Sequence, residues 1–459
     1  MAAELNYRQE KCNITWRKKM KKLIVKVAFL PLLGLLTLFS MNCATSSHNK
    51  GMRHLKNNQF TEAIAFLKQA EQEKPDSYKV KRDLGIAFYR ARRFDEALVK
   101  LQGARNLKVD DSKTVFYTGL TYEAKGMLDE AIGEYKGYMT LKGSRKFRKK
   151  ISKRIRHLTL EKISAEITEA LAQEQNINVG AFPDNTIAVL SFKNLGKSRE
   201  YDPLQKGLAQ MLITDLAKVK KLKVVERLKL QILLEEIKLG SSGVVDAATA
   251  PRVGKLIGAK KLVNGAFTDL TDDDFRIDAT LTETATSKVL QVDEVTGKLG
   301  KLFQMQKDLA FAIIADLGVQ LSREERESIR KIPTESLLAF IAYSKGLDFE
   351  DRGMFDRAKQ EYQKAVQIDP NFSQAQENLS AVDINKSAAT EPKVAASKLE
   401  EDLESAEVDI GGGRQARLTA TGLAAQTGQT PQGDNDNRTP VIENSTNARI
   451  PIRIPLPGN

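Results

Sequence analysis

The sequence is poor in the residues that build disulfides, soft-metal sites and aromatic clusters. Its 459 residues include two cysteines, three histidines and one tryptophan, and aromatic side chains make up 6% of the total. Both cysteines, Cys12 and Cys43, lie in the first tenth of the chain. A disulfide within the folded part is therefore excluded, as is a cysteine–histidine zinc cluster. We expect no cofactor and no metal.

The charge balance and the length point to several domains and an anionic neighbour. The 72 Lys and Arg residues exceed the 59 Asp and Glu residues, which gives a net charge of +13. Such an excess favours an anionic partner or surface but says nothing about fold. Single cores rarely grow beyond about 250–300 residues. The chain is therefore predicted to be multidomain, with α and α/β parts.

The first 43 residues have the order of an export signal. A basic stretch, Arg17–Lys22, precedes a mainly apolar run from Leu23 to Leu38. This run is too short for a comfortable membrane-spanning helix, which needs about 20 residues. Met20 is a plausible start of translation, because the residues before it have no signal character. We assign 1–43 to an N-terminal extension and a signal peptide.

The residues around Cys43 resemble the processing site of a bacterial lipoprotein. The polar stretch Ala44–His48 follows the cysteine, as in the mature end of such proteins. The resemblance implies lipidation of Cys43 and an outer-membrane anchor facing the periplasm. Ser40 and Asn42 depart from the usual leucine and small residue of the motif. An uncleaved anchor and an ordinary signal peptide are the alternatives.

A repeat with a period of 34 residues follows the signal. Glycine, alanine and bulky residues each recur at this spacing, which is typical of stacked helix pairs. The glycine allows close approach of two helices, and the alanine allows the second helix to pack. The pattern resembles the tetratricopeptide repeat over residues 44–145. The predicted repeat-packing residues are Gly51, Ala63, Gly85, Ala97, Gly119 and Ala131.

A fourth copy of the repeat is predicted at 333–382. Gly346 and Ala358 occupy the same motif positions as the glycines and alanines of the first three copies. One repeat cannot bury its own face, so this copy is expected to pack on the central domain or on a partner. Repeat stacks form surfaces that hold peptides or protein segments. A purely structural spacer is the alternative.

The connector at 146–184 begins with a strongly basic helical pattern. A solvated helix that covers the end of the repeat stack is one interpretation. Contact with an anionic lipid or outer-membrane surface is a second. Nucleic acid is the least favoured, since stacking aromatics are nearly absent and the signal directs export. The candidate residues for contact with an anionic surface are Lys146, Arg148, Lys149, Lys150, Lys153 and Arg154.

Residues 185–325 alternate strand and helix patterns, which predicts an α/β domain. The stretch Gly196–Ser198 lies where a phosphate-binding loop would be, after a strand and before a helix. Ser191 stands where that motif needs its first glycine, and Arg199–Pro203 separates the loop from the helix. No serine or lysine is spaced beside a base in a known catalytic pattern. We therefore expect neither nucleotide binding nor enzyme activity.

Three stretches of this domain resemble the CsgG family: Thr186–Phe192, Leu222–Arg227 and Gly258–Ala266. That family includes curli secretion lipoproteins and envelope components with TolB-N-terminal-like or FlgO-like domains. The resemblance implies a non-enzymatic envelope scaffold for assembly or transport of surface components. It also allows for a homo-oligomer. An oligomeric secretion channel is the alternative. Channel members insert long membrane-spanning hairpins, whereas the connections here are short.

The end of the chain, 386–459, is rich in Ala, Ser, Thr, Gly, Asn and Gln. Such a composition buries too little apolar surface to offset the entropy of ordering. We expect a disordered tail. Within it, Ile450–Pro455 has a pattern that suits addition to the edge of another protein's sheet.

Overall fold

The computed structural model describes residues 46–141, 145–238, 245, 248–270 and 274–406. The predicted signal, with Met20 and Cys43, lies outside the described residues, as does the predicted tail from 407 onward. The chain divides into two compact units, one up to Met127 and one from Leu128 onward.

The described part of the first unit consists of two helix pairs and a fifth helix, which agrees with the repeat period. Side-chain caps fix where first helices begin: the Ser77 hydroxyl accepts the amide of Val80, and the Asp111 carboxylate accepts that of Thr114. Asn58 and Arg92 take left-handed backbone angles in the turns between paired helices. The helices are α1 (Ser47–Lys56), α2 (Phe60–Glu73), α3 (Tyr78–Arg90), α4 (Phe94–Leu107) and α5 (Ser112–Ala124).

The second unit opens with two helices that lead into a mixed sheet. Helix α6 (Leu128–Thr140) packs against α7 (Arg145–Ala172), and the rings of Tyr138 and Phe147 meet edge to face at 5.6 Å. The strands are β1 (Thr186–Val189), β2 (Lys193–Asn194), β3 (Lys223–Val224), β4 (Lys261–Asp269), β5 (Asp274–Glu283) and β6 (Val289–Lys298).

The sheet combines a parallel half with an antiparallel meander. Its order is β3-β1-β4-β5-β6, and β2 also pairs with β4. Strands β1, β2 and β3 run parallel to their neighbours, whereas β4, β5 and β6 are joined by hairpins. The predicted α/β architecture is confirmed.

Helices cover both faces of the parallel half, which explains its unbroken apolar strands. The residues of β1 show this division: Ile187 and Val189 belong to one core, and Ala188 to the other. The helices after β1 are α8 (Leu204–Leu216), α9 (Arg227–Glu236), α10 (Ala250–Ile257), α11 (Leu302–Asp316) and α12 (Arg323–Arg330). Helices α8 and α11 belong to the first core; α9, α10 and the second half of α7 belong to the other.

The fourth repeat copy shares the core of the central domain. It comprises α13 (Leu337–Asp351), α14 (Phe355–Ile368) and α15 (Ser373–Thr390). Phe340, Tyr343 and Tyr362 lie in the same buried cluster as the residues of α8 and of the sheet. The copy therefore buries its face on the central domain rather than standing alone.

The prediction of disorder from residue 386 is wrong for its first residues. Helix α15 continues to Thr390, and a further helix, α16, occupies 396–406. Leu399 and Leu403, one helical turn apart, are buried. Composition did not predict this buried pair, because the residues around the two leucines are mainly alanine, serine and acidic residues. Residues 407–459 lie outside the described residues.

Candidate protein-interaction surfaces

The repeats of the first unit are locked by one contact that recurs. A methyl group built on Gly51 would lie 2.6 Å from Cγ of Leu67, and one built on Gly85 would lie 2.7 Å from Cγ of Leu101. Real Cβ atoms do not approach so closely, so each glycine lets its first helix press on the second. The two contacts are equivalent in the two repeats.

The remaining predicted packing residues lie at corresponding positions. Gly346 faces the ring of Tyr362, whose Cζ would be 3.0 Å from an added methyl group. Gly119 is buried within α5. The four predicted alanines are fully buried in the second helices of their copies: Ala63, Ala97, Ala131 and Ala358.

A chain of polar contacts links the first helices of the first unit. Nε2 of His48 in α1 lies 2.8 Å from the buried carboxylate of Asp83 in α3. Nε of Arg82 donates to the same carboxylate at 2.8 Å, and its guanidinium reaches Asp111 at 3.4 Å. Burial alone would raise the pKa of Asp83, but the contacts with His48 and Arg82 outweigh it and hold the pKa below its usual value. These contacts therefore fix the first helices of the repeats to one another.

Part of the basic helix α7 pairs with the C-terminal segment of the same chain. Nζ of Lys150 lies 2.5 Å from Asp402, and Nζ of Lys153 lies 3.4 Å from Glu391. Buried Arg154 donates to a backbone carbonyl, that of Val394. The C-terminal segment thus neutralises part of this helix. Two candidate residues for contact with an anionic surface are exposed: Lys146 and Lys149; Arg148 is half-buried.

The loop that resembles a phosphate-binding loop is filled by a side chain of the protein itself. The Asp269 carboxylate at the end of β4 accepts the amides of Lys197, at 2.8 Å, and Ser198, at 3.2 Å. A methyl group on Gly196 would collide with the same carboxylate. The backbone amides that would cradle a phosphate are therefore already occupied.

A buried ion pair lies beneath the sheet, between α8 and α11. Nζ of Lys307 contacts both carboxylate oxygens of Asp215, at 2.6 and 2.9 Å. The side-chain Nε2 of Gln306 and Nζ of Lys218 also donate to this carboxylate, at 3.1 and 2.9 Å. Burial lowers the pKa of Lys307, although Asp215 acts in the opposite direction. Sequence reasoning missed this pair, since no spacing in the sequence relates the two helices.

A second polar cluster joins the central domain to the fourth repeat copy. Nζ of Lys206 lies 2.8 Å from Asp351 and 3.1 Å from Asp348, and Arg227 also pairs with Asp351. These contacts fix α8 and α9 to the end of α13. No group of three His, Cys, Asp or Glu side chains within the described ranges is placed to hold a metal ion. None of the helices described is long and apolar enough to span a membrane.

Family comparisons agree with this architecture. The model of the curli production assembly/transport component CsgG matches residues 159–273. Two tetratricopeptide-repeat models match residues 54–113 and 342–372. The chain therefore carries a CsgG-like domain between repeats. The predicted resemblances to both families are confirmed, and no curated protein matches the chain.

Several solved structures are similar to parts of this chain at low identity. The Arabidopsis OM64 TPR domain is 21% identical over 24% of this chain and 91% of its own length, with a TM-score of 0.23. The LpoB C-terminal domain from Salmonella enterica is 12% identical over 28% and 94%, with a TM-score of 0.23. A tetratricopeptide repeat protein from Parabacteroides merdae is 12% identical over 73% and 97%, with the same TM-score. With scores this low, these structures support no inference about function.

Proposed function

We propose that this chain is a non-enzymatic, lipid-anchored scaffold of the bacterial envelope, which binds proteins during assembly or transport of surface components. The observation that carries the proposal is the combination of repeats, locked by Gly51–Leu67 and Gly85–Leu101, with a CsgG-like domain in one chain. Stacked repeats provide extended surfaces for protein segments. The loop at Gly196–Ser198 is filled by the Asp269 carboxylate and offers no open cradle for a phosphate.

The binding face in this proposal is formed by the first helices of the repeats. Met52 in α1 is half-buried on these helices, and Val99 in the second helix α4 is 68% exposed. Envelope proteins captured by the full chain are compared with those captured by Met52→Glu and Val99→Glu variants. We expect Met52→Glu to lose a specific partner that Val99→Glu retains. Equal capture by all three chains would contradict a binding role for the first helices.

The lipid anchor is tested by labelling with radioactive palmitate in bacteria. We expect labelling of the parent chain and of Cys12→Ala, and none of Cys43→Ala, since only Cys43 follows the signal. Equal labelling of the two variants would remove the anchor from the proposal. Liposome conductance of the detergent-extracted protein distinguishes the scaffold, which does not conduct, from the alternative of a secretion channel.

A further inference from the structure

Strand β6 forms a long, open edge of the sheet. It is the last strand in the sheet order, it spans Val289–Lys298, and its described neighbours are β5 and α11. Val292 on this strand is 58% exposed. Proteins usually cover or interrupt such an edge, because its unpaired backbone groups can pair with another strand. The register with β5 shifts at Leu290, so the regular open edge is Gln291–Lys298, and it calls for an occupant.

The hydrogen bonds around β5 show which backbone groups of β6 are open. The amide of Glu283 donates toward β6, to Lys288, at 2.9 Å, and the amide of Thr284 donates toward β4, to Lys260, at 3.0 Å. Since these directions alternate along a strand, the odd-numbered residues of β5 bond to β6. The backbone N–H and C=O groups of their partners in β6, Asp293 and Val295, are therefore directed toward β5. The open groups therefore belong to Val292, Glu294 and Thr296.

The last residues of the chain match this edge in their own alternation. From Ile450 to Pro457 every even position is Ile or Leu, and every odd position is Pro or Arg. In an extended strand, alternate residues direct their backbone groups to the same side. The even residues can all donate to a neighbouring strand, whereas the prolines, which lack an N–H, would face solvent. A strand of this kind can pair on one side only and would close the edge.

We propose that residues 450–456 of the same chain add to β6 as an antiparallel strand. The even residues of both strands then form the hydrogen-bonded pairs. The register that places Arg453 opposite Asp293 also places Ile454 opposite exposed Val292 and Ile450 opposite Thr296. The same register places Ile452 opposite Glu294, so the side-chain match rests on Arg453 with Asp293 and Ile454 with Val292.

The surroundings of Asp293 support that register. Its side chain shares a hydrogen bond with the carboxyl of Asp316 at the end of α11. Two carboxyl groups in contact repel each other when both are ionised. A guanidinium placed opposite Asp293 relieves the repulsion and can donate hydrogen bonds to both carboxyl groups.

The length of chain before Ile450 permits this arrangement within one molecule. Residues 407–449 can span up to about 140 Å when extended, whereas a unit of this size has a radius of gyration of about 19 Å. Attachment to the same chain also raises the local concentration of the strand above that of a free competitor. The occupant from the same chain is therefore favoured over a second copy.

Hydrogen exchange of the full chain tests the pairing. In the parent protein we expect the peptide covering Val292–Thr296 to exchange at least about tenfold more slowly than in an Ile452→Pro variant, which lacks an inward amide. A Pro451→Ala variant is the matched control and should keep the protection, since position 451 faces outward. Equal exchange in the parent and Ile452→Pro would overturn the proposal.

Cysteine pairs test the register and the source of the strand. In a chain with Cys12 and Cys43 replaced by serine, Val295→Cys with Pro451→Cys places two side chains on one face in a non-hydrogen-bonded pair, the closer kind. We expect a disulfide within the monomer. Val295→Cys with Ile452→Cys, on opposite faces, should not cross-link. Equal cross-linking of both pairs would overturn the register, and disulfide-linked dimers would overturn the assignment to the same chain.

Discussion

Gly207 of α8 packs so closely against Ser344 of α13 that there is no room for a Cβ atom on residue 207. A methyl group on Gly207 would collide with the Ser344 hydroxyl and would come within 2.9 Å of Cζ of Phe340. This contact is where the fourth repeat copy meets the CsgG-like domain. It explains how a single repeat, which cannot bury its own face, is stable in this chain.

Gly207→Ala should therefore destabilise the second unit. Overpacking of a tight contact costs about 1–3 kcal/mol of the free energy of unfolding. The measurement is urea denaturation followed by circular dichroism. Gly133→Ala, on an exposed helical position with no atom within 4 Å, is the control and should be neutral or stabilising by up to about 1 kcal/mol. Equal stability of the parent and Gly207→Ala would show that α8 and α13 can move apart to admit the methyl group without loss of stability.

Lys307→Met should destabilise the protein strongly, because it leaves the Asp215 carboxylate buried without its main partner. Breaking one half of a buried ion pair costs about 3–5 kcal/mol. The double variant Asp215→Leu/Lys307→Met should recover much of that loss, since both charges are gone. Urea unfolding of the single and double variants checks both expectations.

An exposed ion pair provides the control for this experiment. Arg323 and Glu327 pair at 2.8 Å with side chains 86% and 59% exposed. Arg323→Met should change stability by less than about 1 kcal/mol. If Lys307→Met lowers the free energy of unfolding no more than Arg323→Met does, the buried pair contributes little to stability.

Asp269→Ala should open the loop at Gly196–Ser198. The substitution removes the acceptor of the Lys197 and Ser198 amides, and since water can reach these amides the cost should be about 0.5–1.5 kcal/mol. Amide exchange of the loop peptide should accelerate. Asp184→Ala, which removes a carboxylate that is 90% exposed, is the control and should leave exchange unchanged. Unchanged exchange in Asp269→Ala would show that the carboxylate does not hold the loop.

The sequence predicted the repeats well because their signal is carried by local, periodic residues. Glycine and alanine at a fixed spacing are required by close helix packing, so Gly51, Gly85 and Gly346 could be read directly. The α/β order of the central domain followed from its apolar runs. Contacts between distant elements were not predictable, since nothing in either helix marks Asp215 and Lys307, or Gly207 and Ser344, as neighbours. Charge alone also could not show that Lys150 and Lys153 of α7 meet acids far along the chain.

The pair Asp293 and Asp316 gives the protein a pH dependence of definite sign. Burial and the contact with Asp316 raise the pKa of Asp293 to about 6. The ordinary value in an unfolded chain is about 3.9. Between these two values the folded protein binds more protons than the unfolded one, so this group's contribution to stability is complete below about pH 4 and is lost as the pH rises through 6. Because Asp293 is partly solvated, we expect the effect to be below about 1 kcal/mol.

Asp293→Asn should remove that dependence. The variant should be more stable than the parent above pH 6 and equal to it near pH 4, as measured by thermal unfolding across this range. The comparison is made with Arg453→Gln in both chains, because a guanidinium opposite Asp293 would itself lower the pKa of that carboxyl. In chains that keep Arg453, the strand proposed on β6 predicts a smaller difference between Asp293→Asn and the parent. If Arg453→Gln leaves the stability difference between Asp293→Asn and the parent unchanged, Arg453 does not contact Asp293.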